Sequence, residues 1–139
     1  MRILIALLVT ALPAAAWEFT QTPICTITHS EPALNVRMTY DHTTSLYAIA
    51  VTHPQGWPSA PAFSIRFDGA QPNIISTTRH QTDGATLTVS DQGFGNVLDG
   101  LQFNATATAF TATSAATVSL DGAAEPVQRF RDCTTAPIA

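Results

Sequence analysis

Large apolar residues recur at every second position over short segments of this chain, and this alternation restricts the fold more than any other feature of the sequence. Residues 34–41 are typical, with Leu34, Val36, Met38 and Tyr40 separated by polar residues. A period of two places the apolar side chains on one face of a β-strand. The segments with this pattern, or with a short β-branched run, are 25–28, 34–41, 46–53, 63–68, 74–78, 85–89, 104–110 and 117–120. They predict an all-β fold, an antiparallel β-sandwich (Ig-like or related) of about seven to eight short strands.

Asp-Gly pairs separate several of these segments. An Asp-Gly pair supplies the positive φ that tight turns need. The pairs are Asp68-Gly69, Asp83-Gly84, Asp99-Gly100 and Asp121-Gly122. Asp83-Gly84 separates the Ile74 strand from the Leu87 strand and is the strongest hairpin candidate. A further hairpin is expected between residues 34–41 and 46–53, with its turn near His42 to Ser45.

The Pro-rich segment 54–61 contains three prolines in eight residues and cannot form a central strand. Its Trp57 either packs over the edge of the sandwich or is presented to a partner. One aromatic residue does not define a surface patch, so packing is favoured. Trp57 is nevertheless the one candidate residue for binding a partner.

Two segments have helical rather than strand character. Asn96 lies three residues before Asp99, and this spacing predicts one helical turn after residues 93–95. In residues 123–133, a helical period places Val127, Phe130 and Cys133 on one side. The sequence therefore predicts a short C-terminal helix with these three residues facing inward.

Cys25 and Cys133 are the only cysteines of the chain. An even cysteine count in an exported chain favours a disulfide, and two cysteines leave one possible pairing. Because Cys133 lies on the inner face of the predicted helix, the bond would join that helix to the first predicted strand.

The N-terminal segment has the pattern of a secretory signal peptide. Arg2 is followed by an apolar run over residues 3–12 and by the small residues 14–16. The run is shorter than the roughly 20 apolar residues that span a bilayer, and no later stretch is long enough. Cleavage near Ala16 would remove 16 of the 139 residues and leave 123. We expect a periplasmic or secreted protein with a cleaved signal peptide (residues 1–16), one domain (17–133) and a flexible tail (134–139).

The charge balance argues against nucleic acid as a partner. The chain has six basic residues, all of them Arg, against ten acidic residues, and its formal net charge is −4. Nucleic-acid binding draws most of its affinity from cations that neutralise phosphates. The sequence also lacks the Gly-rich loop with Lys that holds nucleotide phosphates.

The second half of the chain resembles the invasion-associated locus B family. The resemblance covers about the last 40 residues and rests on Leu98-Asp99-Gly100-Leu101, the strand Ala116 to Leu120 before Asp121-Gly122, and a final helix ending at Cys133. That family consists of small exported bacterial proteins with a β-rich fold and a C-terminal helix after a strand that ends in Leu-x-Gly. It has been linked to host-cell colonisation without an assigned chemical activity. The resemblance implies export and a β-rich fold.

No local motif indicates a catalytic or metal centre. The four histidines, His29, His42, His53 and His80, lie outside any metal or catalytic signature and are most simply solvent-exposed residues at strand ends or in turns. Only long-range contacts could bring His42, His53 and His80 together into a metal site. No Gly-x-Ser-x-Gly nucleophile motif occurs. No cofactor is predicted.

The leading hypothesis is therefore a non-enzymatic exported protein, a binding or structural module for another protein or an envelope component. A histidine-based metal or small-ligand binding protein is the alternative. A small hydrolase is the third hypothesis.

Overall fold

A computed structural model describes residue 5 and residues 16–136. The predicted signal peptide, residues 1–16, lies outside the described residues except for residues 5 and 16, and so do residues 137–139 of the predicted tail. Within the described part, no helix has the length and apolar character needed to cross a membrane.

The described chain consists mainly of β-strands in two antiparallel sheets. In chain order, the strands are β1 (Glu18–Thr20), β2 (Cys25–Ser30), β3 (Asn35–Asp41), β4 (Leu46–Thr52), β5 (Phe63–Gly69), β6 (Asn73–Thr77), β7 (Gln81–Asp83), β8 (Thr86–Asp91), β9 (Asn104–Phe110) and β10 (Ala115–Ser119). One sheet has six strands in the order β1-β2-β3-β4-β8-β7, and the other has four in the order β10-β9-β5-β6. The prediction of an antiparallel, β-rich fold is confirmed.

The alternating segments correspond to eight of these strands, and the structure adds β1 and β7. Each added strand is three residues long, which is too short for a period of two to be recognised. The hairpin at Asp83-Gly84 is present, with Gly84 at φ 60°, but its first strand is β7 rather than the Ile74 strand. The expected hairpin of β3 and β4 is also present, with Asp41 opposite Leu46 and Asn35 opposite Thr52.

Two helices complete the fold, α1 (Gly95–Phe103) and α2 (Ala124–Thr135). Helix α2 buries Val127, Phe130 and Cys133, as the helical period predicts, and ends at Thr135, two residues beyond the predicted domain boundary.

Helix α1 differs from the prediction at both ends. It is nine residues long instead of a single turn, and it begins after Phe94 without a side-chain cap from Asn96. The prediction of a turn at Asp99-Gly100 is wrong, because both residues lie inside α1. Gly100 is needed there for a different reason: a Cβ at this position would overlap the ring of Phe67 on β5. Close packing of a helix on a sheet, rather than a positive φ, requires this glycine.

One hydrophobic core joins both sheets and both helices. Phe67 of β5, Ile27 of β2 and Phe130 of α2 are fully buried in the same cluster. The disulfide between Cys25 and Cys133 is present and fixes α2 to β2, with 6.0 Å between the two Cα atoms. This bond is compatible with an extracytoplasmic protein, because disulfides persist in oxidising compartments.

Candidate functional site

A cleft of about 490 Å³ is bordered by both sheets. Its lining combines apolar and polar residues. The apolar side chains come from β4 and β8 of one sheet, from β5 and β6 of the other, and from the segment entering α1: Ile49, Val89, Phe63, Ile65, Ile75, Phe94 and Val97. Volume and lining are typical of small-molecule sites, which are mostly apolar with a few polar groups. We call this feature the inter-sheet cleft.

Strand lengths explain why the cleft stays open. Strand β7 pairs only with residues 86–88 of β8, so Val89, Ser90 and Asp91 have a strand neighbour on the β4 side alone. In the other sheet, β6 pairs with β5 and ends the sheet. Apolar side chains of both sheets therefore reach this edge without an additional strand covering them. Ile75 and Val89 are only partly buried as a result.

Polar residues form the rim of the inter-sheet cleft. Ser76, Thr77 and Arg79 lie on the β6 side, and Ser90, Asp91 and Asn96 lie on the opposite side. Arg79 is exposed, and within the described residues no carboxylate lies within 4 Å of its guanidinium.

Two other arginines of the described chain form ion pairs with a carboxylate, which Arg79 does not. Arg66 pairs with Asp68 at 3.0 Å, and Arg131 pairs with Asp99 at 2.6 Å. The guanidinium of Arg79 thus forms no ion pair in the described chain, and the one acid of the cleft lining, Asp91, lies on the opposite side.

At the opposite edges of the sheets, where β1 and β10 lie, side chains close the space that is open at the cleft. The indole N–H of Trp17 donates to the Ser119 carbonyl at 2.9 Å. The His29 ring stacks on the Trp17 ring with 4.4 Å between centroids. Glu31 lies within 2.6 Å of Nε2 of His29 and accepts a hydrogen bond from the Ser119 N–H. Polar contacts therefore connect the two sheets at this pair of edges, whereas the opposite pair of edges borders the cleft.

Replacing Glu31 by Ala tests the contribution of these polar contacts to stability. We expect Glu31→Ala to lower the free energy of unfolding by about 1–2 kcal/mol, because buried His29 Nε2 and the Ser119 N–H both lose their partner. Chemical denaturation measures the change. Glu18→Ala is the control, since Glu18 is exposed and makes no side-chain hydrogen bond in the described chain; equal stability of the two variants would contradict the role given to Glu31.

The structure does not bring the three candidate metal-binding histidines together. Nε2 of His42 lies 3.0 Å from the Cys133 carbonyl, beside α2. Nδ1 of His53 accepts a hydrogen bond from the Gln55 N–H, and Nε2 of His80 lies 2.9 Å from the Ala60 carbonyl. Within the described chain, no group of three or more His, Cys, Asp or Glu side chains is placed to hold a metal ion.

The expectation that the histidines are solvent-exposed is wrong for His29 and His53. Their exposed fractions are 6% and 9%. Both stand at strand ends in the sequence, but His29 packs under Trp17, and His53 contacts the edge of Trp57. His29 is buried by an aromatic residue that is distant in the sequence, and His53 by one on an irregular segment.

Trp57 packs against the core and is not presented to a partner at the surface. It is 5% exposed, its indole N–H donates to the Val51 carbonyl at 3.1 Å, and its ring contacts Phe63. Of the two interpretations of Trp57, packing is the one that its burial supports, because a buried ring offers a partner no exposed face. Its role is to close the irregular segment 54–61 over the core.

Comparison with known proteins adds no identification: no family model, no curated protein and no solved structure matches this chain. The site rests on its own geometry.

Few features of the sequence predict this cleft. Its lining comes from four strands, two loop segments and the start of α1, so the residues are scattered between positions 49 and 97. The only local signal is the run Ser76-Thr77-Thr78-Arg79, in which three hydroxyl residues precede a cation.

Proposed function

We propose that this chain is a non-enzymatic, exported binding module that holds a small ligand with an apolar body in the inter-sheet cleft. The observation that carries the proposal is the cleft itself, about 490 Å³ in volume, with seven apolar side chains inside a polar rim. Burial of apolar ligand surface against such a lining is favourable by roughly 25 cal/mol per Å² before the costs of association. The groups present suit binding, since the lining contains one acid, Asp91, and no histidine.

Export is supported by the sequence and by the disulfide. The N-terminal pattern of residues 1–16 is that of a cleaved signal peptide, and Cys25–Cys133 is of the kind that persists in the periplasm or outside the cell. The resemblance of the C-terminal part to the invasion-associated locus B family points in the same direction. A role in the envelope or in contacts with another macromolecule remains compatible with ligand binding. Nucleic acid is not a proposed partner, because the net charge is −4.

A β-sandwich of Ig-like or related type is the arrangement of the two sheets that we propose. It is supported by the single core to which both sheets contribute and by the contact between Trp17 and Ser119 at one pair of edges. In a sandwich, the opposite pair of edges would form the mouth of the cleft.

Binding of a neutral fluorescent probe tests the proposed function. N-phenyl-1-naphthylamine carries no charge, so its binding reports apolar contact and does not depend on the charge of Arg79. We expect it to bind the wild-type protein with increased fluorescence and to lose at least about tenfold in affinity in Ile75→Trp, in which the indole occupies part of the cleft.

The matched control is Ile74→Trp, one residue earlier on the same strand. Ile74 is 57% exposed and does not line the cleft, so its replacement introduces the same indole on the other face. Thermal melts of both variants establish that they fold. If Ile75→Trp binds the probe as tightly as Ile74→Trp does, or if the wild-type protein does not bind it, the proposed function is wrong.

A further inference from the structure

A second depression, of about 320 Å³, adjoins the inter-sheet cleft on its β6 side. The two share Ser76, Thr77 and Arg79 as lining residues. The smaller depression is otherwise lined by Ala62 and Thr78. Arg79 therefore stands at the junction of an apolar cleft and a polar depression.

The polar depression has the chemistry of an anion site. Its lining residues are three with hydroxyl groups, one arginine and one alanine, and none of them is acidic. Thr77 Oγ1 accepts a hydrogen bond from the Arg79 N–H, and this contact holds the Arg79 backbone against the end of β6. Asp91, the acid of the larger cleft, lines that cleft alone. A negative group in the depression would thus meet donors and one positive charge.

We propose that the ligand of the inter-sheet cleft is an amphiphile with one carboxylate head, its apolar body in the cleft and its carboxylate on Arg79 in the polar depression. This inference rests on the proposed function and specifies the class of ligand. A guanidinium presents paired N–H donors in a fixed geometry that matches a carboxylate. One Arg balances one negative charge, so a singly charged carboxylate fits this depression better than a doubly charged phosphate.

Calorimetric titration with four decyl compounds tests the head-group preference. Decanoate, decanol, decyl phosphate and decyltrimethylammonium share one chain and differ in charge. We expect wild-type protein to bind decanoate about fivefold more tightly than decanol, which is the upper end of what an ion pair with an exposed side chain contributes. Decyl phosphate should bind no more tightly than decanoate, and decyltrimethylammonium should bind more weakly than decanol.

Arg79→Gln tests the residue. This variant should bind decanoate no more tightly than decanol. Arg37→Gln is the matched control, because Arg37 is also exposed and without an ion pair in the described chain but lies on β3, away from both depressions. It should retain the wild-type preference for decanoate.

The outcomes separate this inference from the proposed function. Equal binding of decanoate and decanol by wild type, tighter binding of the phosphate or the cation, or an unchanged preference in Arg79→Gln would overturn the carboxylate assignment while the cleft still binds an apolar body. Binding of none of the four compounds, together with no binding of the neutral probe, would overturn both.

Discussion

Removing the disulfide is expected to lower the melting temperature by about 19 °C. The Cys25–Cys133 bond closes a sequence separation of 108 residues. In the chain-entropy model, a loop of about 100 residues contributes about 4.7 kcal/mol by restricting the unfolded chain. For a domain of this size, each kcal/mol corresponds to about 4 °C. The variant to measure is Cys25→Ala/Cys133→Ala, followed by circular dichroism during heating.

Two comparisons make the disulfide experiment decisive. Wild-type protein that is fully reduced should melt close to the double variant, because both lack the covalent link. A reductant should not change the melting temperature of the double variant itself. Equal melting temperatures of oxidised wild type and the double variant would contradict a stabilising role for the bond.

The position of the bond explains the size of its expected effect. Helix α2 packs against β1 and β2, although it is the last element of the described chain and they are the first two. Phe130 and Val127 anchor the helix by burial, and His42 contacts the carbonyl of Cys133 from the β3–β4 turn. Without the covalent link, all these contacts must form across a loop of more than 100 residues, and closing such a loop costs entropy.

Local pattern was sufficient to predict most of the fold. Alternation over residues 34–41 specifies both a strand and its buried face, since Val36 and Met38 must share one side. The inner face of α2 and the pairing of the cysteines follow from spacing and count. Each of these predictions depends on residues close together in sequence or on a pairing with no alternative.

The predictions that were wrong depended on contacts between distant segments. Gly100 has the sequence context of a turn, but its position inside α1 is set by the ring of Phe67, 33 positions earlier in the chain. His29 was expected in solvent, yet Trp17 covers it. The inter-sheet cleft could not be predicted for the same reason, because it exists only where β7 ends early and β6 has no further neighbour.

Gly100→Ala is expected to destabilise the protein by about 3 kcal/mol, at the upper end of what overpacking usually costs. The added methyl group would overlap three ring carbons of Phe67, whose side chain is fully buried. Alanine favours helix over glycine by about 1 kcal/mol, so the packing cost must exceed this gain for the variant to be less stable. Urea denaturation measures the net change.

Gly95→Ala in the same helix is the matched control. A Cβ at Gly95 meets no atom within 4 Å, so this variant receives the helical advantage of alanine without a clash. We expect it to be as stable as the wild type or more stable by up to about 1 kcal/mol. A third variant, Gly100→Ala combined with Phe67→Leu, should recover part of the loss, because the smaller side chain leaves room for the methyl group. If Gly100→Ala and Gly95→Ala were equally stable, the packing of α1 on β5 would not be what requires glycine at position 100.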